Sequence, residues 1–175
     1  IYFSFNLSLG CIQRLDVHKY NGETDVKAAY IEGLDSYAIK IASGFFDNPK
    51  LGIPSSNGMM ILLDSKTGVI KSILLDEGYL TDVRTAIAGS IAAKYLSNPE
   101  STKAGIIGAG LQAKLQLEAL KLVRPISTVF IWSRDREKLI NFEREIQYLG
   151  LDIKKCSSIE ELVKLSEIVV TTTPS

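Results

Sequence analysis

The sequence predicts an α/β chain in which the first half of a doubly wound parallel sheet follows an α+β domain. Three observations carry that reading. KAGIIGAGLQAKLQLEAL, residues 103–120, runs from a short apolar strand through a glycine turn into an amphipathic helix. After it, strand and helix patterns alternate with short connections, the order that builds a parallel sheet. Before it, apolar runs divided by turn residues read as antiparallel strands leading to one long helix.

IYFSFNLSLGCI (1–12) is apolar but too short to span a bilayer and lacks a basic flank, so it predicts a core strand. AAYIEGLDSYAIKIASGF (28–45) and NGMMILLDSKTGVIKSILLD (57–76) predict antiparallel strands, with Ser65-Lys66-Thr67-Gly68 as a hairpin loop. In YLTDVRTAIAGSIAAKYL (79–96), Val83, Ile87, Ile91 and Tyr95 recur every four residues and predict a helix with one apolar face. Asn98-Pro99 closes it, and the domain boundary is placed there, giving domains 1–98 and 99–175.

In the second domain KAGII (103–107) is followed by a helix whose Leu111, Leu115, Leu117, Ala119, Leu120 and Val123 make a packing face and which ends at Arg124-Pro125. STVFIWS (127–133) reads as a buried strand and 135–149 as a charged surface helix. LDIKK (151–155), then SSIEELVKL (157–165) with Ser158 as cap and Glu161 three residues on, then EIVVTTT (167–173) complete a β-α-β-α-β-α-β series. That is half of a Rossmann-type fold. The chain opens on Ile1 instead of Met and stops at Ser175 just after an apolar run, so both ends are expected to be cut.

Twenty basic residues balance twenty acidic ones, so no global field draws in nucleic acid or an anionic membrane, and neither is expected as a partner. Cys11 and Cys156 form no C-x-x-C pair, which suits a reducing, cytoplasmic setting. His18 is the sole histidine, so a histidine-rich zinc site or a hydrolase triad has little to work with, and no metal is expected.

Gly108 permits a tight turn out of the strand, Gly110 leaves no Cβ to block a pyrophosphate, and Ala113 lets the helix pack closely, giving G-x-G-x-x-A. Leu111 and Gln112 complete the turn, and the helix N-terminus presents free N–H groups to phosphate. At the end of the next strand, Ser133-Arg134-Asp135 stands at the spacing expected for ribose recognition. A hydroxyl followed by a guanidinium suits a 2′-phosphate and favours NADP(H); Asp135 swinging in would serve NAD(H) instead. Thr171, Thr172 and Thr173 either line the cofactor at a strand end or merely fill the strand.

Thr81 sits where an N-cap is expected, with Asp82 behind it and Arg84 three residues into the helix. A cation there opposes the macrodipole, a cost that an anionic ligand reverses. Arg84, with Thr81, Thr85 and the free N–H groups, would bind a carboxylate; pairing with Asp82 or solvent exposure is the equal alternative. Lys40, inside the apolar YAIKIASG, is either a solvated strand residue or an inward cation needing an anionic partner. Arg14, in CIQRLDV, has the same two readings.

GIPSSNGMMILLDSKTG, YLTDVRTAIAGSIAAKYL and GIIGAGLQAKLQLEAL, in that order, resemble the ornithine cyclodeaminase/mu-crystallin family from about residue 13 onward, LTDVRTA being the most specific block. GETDVKAAYIEGLDSYAIKIASGFFDNPKLG is similar to the ectoine-utilisation cyclodeaminase-like subgroup. The resemblance implies an NAD- or NADP-dependent homodimer acting on a small amino or imino acid, with cyclodeamination of ornithine first and ketimine reduction or amino-acid dehydrogenation second. It makes residues 1–98 a substrate-binding and dimerisation domain. A cofactor-binding protein without activity is the reading from another class. The resemblance also makes Arg14, Lys40 and Arg84 carboxylate ligands, with Lys40 catalytic. Thr85, Gly108, Gly110, Leu111, Gln112, Ala113, Ser133, Arg134, Thr172 and Thr173 then become the cofactor-binding set. The family's catalytic aspartate would fall after Ser175.

Overall fold

The computed structural model describes residues 7–9 and 13–173 and divides into two units, Ile1–Thr81 and Asp82–Ser175. Of the strand expected over 1–12, Leu7–Leu9 forms β1; Cys11 lies outside the described residues.

The first unit is an antiparallel sheet of β1, β2 (Gln13–Val17), β3 (Gly22–Ile31), β4 (Ser36–Phe45), β5 (Ser56–Asp64) and β6 (Ile70–Leu74). The order is β1-β3-β4-β5-β6, with β2 sharing the long strand β3 with β1. The expected hairpin between β5 and β6 forms around Asp64, whose Oδ1 accepts the backbone N–H groups of Lys66 and Thr67. Gly68 supplies the left-handed residue at φ +70°. Lys71 adds an ion pair to Asp64 at 2.9 Å, and these donors together hold the Asp64 carboxyl far below the usual carboxylate range.

α1 (Tyr79–Leu96) differs from expectation at its start. It begins two residues before Thr81, and the Leu80 N–H is taken by Asp76 Oδ2 at 2.6 Å, so Asp76 fills the role expected of Thr81. Arg84 consequently sits beyond the first turn, where the macrodipole cost is small. The packing face also differs. Ile87, Ile91 and Tyr95 are 48%, 51% and 75% exposed, whereas Ala86 and Ser90 are buried. The contacts with helix α2, described below, come from its side chains reaching the α1 backbone at Asp82 and Thr85. Gly89 shows this directly: a Cβ there would collide with the Gln116 amide.

The second unit is a four-stranded parallel sheet of β7 (Lys103–Ile107), β8 (Thr128–Trp132), β9 (Asp152–Lys155) and β10 (Ile168–Thr171), in the order β10-β7-β8-β9. This is the expected half of the doubly wound fold. The helices α2 (Leu111–Lys121), α3 (Arg136–Glu145) and α4 (Ile159–Leu165) are the crossovers. Ala104 to Ile107 are all buried, as a central strand covered on both faces requires. One core holds Ile106, Leu117, Leu120, Ile131 and Phe142, and a smaller one holds Ile107, Phe130, Cys156 and Leu162. Burial raises the Cys156 thiol, leaving it a small apolar residue. On α2, Ala113, Leu117, Ala119 and Leu120 are buried, but Leu111 is exposed beside the turn. Ser158 caps α4 as expected, its Oγ accepting from Glu161 N–H at 3.1 Å.

From Asp82 onward α1 falls with the second unit, ahead of the boundary expected at 98/99. Polar bonds explain this. Arg124 is 7% exposed, and its Nη2 donates to the carbonyls of Ala93, Lys94 and Ser97 at the end of α1. Among the described residues no helix is long and apolar enough to cross a membrane, and no cluster of metal-ligating side chains occurs.

Candidate active site

The second unit presents the glycine turn expected to hold a dinucleotide at the carboxyl end of β7. The strand order steps from β7 through β8 to β9 on one side and then returns to set β10 on the other side of β7, so the carboxyl end of β7 lies where the order reverses. Gly108 follows β7 at φ +122°, and its N–H donates to the Trp132 carbonyl at 2.9 Å. A side chain at Gly108 would be strained there and would run into Thr172. Thr172 closes the other flank: its N–H and Oγ1 both donate to the Ile107 carbonyl, at 2.8 and 3.2 Å. Thr173 is exposed just beyond it.

Gly110 is the position where a ligand fits. A Cβ there would meet nothing within 4 Å. Helix α2 starts from it with no side-chain cap and no acidic residue in its first turn. The N–H groups at Leu111, Gln112 and Ala113 therefore open a helix N-terminus whose own first turn holds no carboxylate, which suits a pyrophosphate. Fully buried Ala113 gives the close packing that its place in the motif requires.

At the end of β8, one carboxylate oxygen of Asp135 is taken by a helix cap. Its Oδ1 caps α3, accepting the backbone N–H groups of Glu137 and Lys138 at 3.0 and 3.1 Å. Its own N–H donates to Ser133 Oγ at 3.3 Å. Arg134 is exposed beside it. A hydroxyl and a guanidinium thus stand at this corner next to a carboxylate engaged through Oδ1.

The first unit presents a charged face on its sheet. Directly paired residues of an antiparallel ladder share a face. Arg14 pairs with Asp25, Asp25 with Ala42, Lys27 with Lys40, Lys40 with Met60, and Ala42 with Gly58. The register thus brings Arg14, Asp25, Lys27 and Lys40 onto one face. Small residues, Ala38, Ala42 and Gly58, leave space beside Lys40. Thr81 Oγ1 lies 3.6 Å from where a side chain at Gly58 would begin, so Thr81 borders the same face.

The face is an ion network. Arg14 Nη2 pairs with Glu23, and its Nε lies 3.6 Å from Asp25 and 3.8 Å from Asp16. Lys27 Nζ donates to Asp25 Oδ2 at 2.8 Å. That bond, helped by the charges of Lys27, Arg14 and Lys40, holds the Asp25 carboxyl below its ordinary value against the opposing effect of burial. Lys40 is 7% exposed, so it takes the inward orientation of the two readings open in the sequence. The Glu23 hydrogen bond and charge raise Arg14 further.

Arg84 belongs to the second unit, is exposed, and forms no ion pair among the described residues. Its expected alternative partner, Asp82, instead accepts from Gln112 Nε2 through both its backbone carbonyl and Oδ1. The Thr85 carbonyl likewise accepts from Gln116. Asp25, Glu23, Lys27 and Gln116 were not among the candidates read from the sequence, and Gln112 was read only as part of the phosphate turn. Alternation in GETDVKAA already placed Glu23, Asp25 and Lys27 on one side of a strand, but only the register with β4 sets them beside Lys40.

A family model described as the ornithine cyclodeaminase/mu-crystallin family matches residues 12–175. An uncharacterised cyclodeaminase of Sinorhizobium fredii is 54% identical over 168 residues, covering 94% of this chain and 50% of that protein. Among solved structures, Delta(1)-pyrroline-2-carboxylate reductase of Thermococcus litoralis, in complex with NADH and L-proline, superposes with a TM-score of 0.87 at 33% identity. That match covers 95% of this chain and 52% of the reductase. An archaeal alanine dehydrogenase dimer with bound NAD gives a TM-score of 0.85 at 29% identity, covering 97% of this chain and 51% of the other. The chain spans about half the length of the relatives it matches.

Proposed function

The chain belongs to the ornithine cyclodeaminase/mu-crystallin family, and from that premise we propose that the whole protein is a nicotinamide-dinucleotide enzyme exchanging hydride at the α-carbon of a small amino or imino acid. The observation that carries this is the uncapped start of α2 behind Gly108 and Gly110, with open space at Gly110. Lys40, 7% exposed on a sheet face whose other cations, Arg14 and Lys27, are engaged by Glu23 and Asp25, is the cation that supports a carboxylate as the second ligand.

When bound, the dinucleotide gives or accepts the hydride. The N–H groups of Leu111, Gln112 and Ala113 hold its pyrophosphate, and Thr85, Thr172 and Thr173 line its course. Ser133 and Arg134 bind a 2′-phosphate, so NADP(H) is the preferred form; the occupation of Asp135 in the α3 cap supports this choice. Lys40, Arg14 and Arg84 are the cations that the family resemblance offers to a substrate carboxylate, and fixing that group ahead of hydride exchange is catalysis by orientation. Lys40 is the catalytic member, its ammonium holding a proton at Nζ against the bound carboxylate in a site where burial makes that charge effective.

Net reduction of a cyclic imino acid is the reading favoured by likeness to the T. litoralis reductase. Cyclodeamination, in which hydride returns to the ring after ammonia leaves, is the second reading, favoured by the 54% identical relative named a cyclodeaminase. One experiment separates them. The whole protein is given NADPH with Delta(1)-pyrroline-2-carboxylate, or NADP+ with L-ornithine, and the reduced-nicotinamide absorbance is followed. Sustained loss with the imino acid means reductase; proline and ammonia from ornithine at constant absorbance mean cyclodeaminase. Neither outcome defeats the proposal of hydride exchange, whereas no reaction with either pair, or with L-alanine and NADP+, does.

The whole protein is further proposed to be a homodimer. The alanine dehydrogenase neighbour is a dimer. Leu15, Val26 and Ile73, on the sheet face opposite Lys40, leave apolar surface for a partner.

A further inference from the structure

Two glutamines one turn apart on α2 cross to α1. Gln112 Nε2 donates to the Asp82 carbonyl at 3.3 Å and to Asp82 Oδ1 at 3.1 Å, and Gln116 Nε2 donates to the Thr85 carbonyl at 3.0 Å. The backbone groups they grip lie on either side of Arg84. Gln112 Oε1 is buried without a hydrogen-bond partner among the described residues, so the hold on Asp82 is what satisfies this amide. Turning the amide over would set its oxygen against the Asp82 carboxylate. Gly89 completes the device: the Gln116 amide occupies the space that a side chain at position 89 would fill. One short helix thus carries the phosphate turn at its start and, from the same turn, holds the backbone that carries Arg84.

We propose that Gln112 and Gln116 are positioning residues that fix Arg84 relative to the dinucleotide turn, so that dinucleotide and substrate carboxylate each strengthen the binding of the other. This rests on the proposed function. Ordering of α2 by a pyrophosphate restricts α1 through these bonds, and by thermodynamic linkage a carboxylate on Arg84 must return the effect in equal measure. Two hydrogen-bonded points on one helix also define its rotation, which a single bond does not.

The test is the dissociation constant of NADPH, and of NADH, measured on the whole protein with and without saturating L-proline. The wild type is expected to bind the dinucleotide about five-fold or more tightly when L-proline is present. In Gln116→Leu, and in Gly89→Ala, which displaces Gln116 while improving helix propensity, that ratio is expected to fall to about one, with affinity for the dinucleotide alone changed less than about three-fold. A merely structural role would lower stability and leave the ratio intact. If Gln116→Leu does not fold, the Gly89→Ala ratio decides. An unchanged ratio in the folded variants, or no coupling in the wild type, overturns the inference and leaves the proposed function standing. A wild type that binds neither dinucleotide nor L-proline overturns both.

Discussion

Lys27 and Lys40 stand directly opposite each other in the β3–β4 ladder, two like charges at the centre of a sheet. Such pairs are destabilising by up to about 1 kcal/mol, and here Asp25, bonded to Lys27 at 2.8 Å, offsets the repulsion. A sheet built for stability alone would place an apolar residue at Lys40, beside Met60 and between Ala38 and Ala42. Lys40→Met is therefore expected to change unfolding free energy by less than about 1 kcal/mol. The same change should weaken carboxylate binding at least about ten-fold, because a buried charge partner is lost. Denaturant unfolding and titration with L-proline in the presence of NADPH check the two halves. Strong destabilisation with unchanged binding would make Lys40 a structural residue.

Dinucleotide preference follows from the corner at the end of β8. Arg134→Asp is expected to shift the preference toward NADH by about ten-fold or more, since it removes a guanidinium from a 2′-phosphate and adds a repelling charge. Asp135→Ala separates this role from helix capping. It should cost about 1 kcal/mol of stability through the lost bonds to Glu137 and Lys138 N–H while leaving the preference unchanged. Titrations of both variants with NADPH and NADH give the answer.

Arg124 is the strongest structural expectation. Its buried side chain satisfies three carbonyls at the end of α1 and Ser97 Oγ, in a part-buried setting. Arg124→Leu strands those carbonyls and should cost about 2–3 kcal/mol in denaturant unfolding. Arg124→Lys should recover only part of that, because one ammonium cannot replace the guanidinium fork.

The glycine turn, the strand and helix alternation and the β5–β6 hairpin were legible because each is a local pattern: backbone conformations only glycine adopts easily, a change of hydrophobic period, turn residues in order. The packing face of α1 was not. Periodicity pointed to Ile87, Ile91 and Tyr95, but Ala86 and Ser90 are the buried positions and Gly89 faces the Gln116 amide, where a side chain would find no space. The cap of the same helix was missed because Asp76 lies behind Glu77 and Gly78, both at positive φ, a turn that composition does not announce. Lys40 is a different case. Strand alternation left its direction open, the family resemblance marked it as functional, and only the ladder register sets Lys27 opposite it and Asp25 and Arg14 on the same face.

Acid sensitivity follows from carboxylates whose hydrogen bonds favour the charged form. Glu167 accepts the Thr102 and Lys103 N–H groups where β7 and β10 begin, and Glu161 accepts from Ser157; both are held below their ordinary value of 4.5. A lowered folded pKa means the contribution is complete above the unfolded value and is lost as pH falls through the folded one. Stability is thus expected to be level above about pH 5 and to fall progressively below about pH 4.5. In Glu167→Gln the decline should be shallower, because that carboxylate no longer takes up a proton on unfolding. Unfolding midpoints measured from pH 7 to pH 3 check the slope.

Hydride exchange at the α-carbon is the central claim, and isotope transfer tests it most directly. The whole protein is incubated with Delta(1)-pyrroline-2-carboxylate and NADPH deuterated at the transferring position of its nicotinamide, each face in turn, and the product is analysed by mass spectrometry. The account predicts proline carrying a single deuterium on its α-carbon from one face only. Proline without deuterium from either face, or cofactor oxidised with no label in the amino acid, would contradict it.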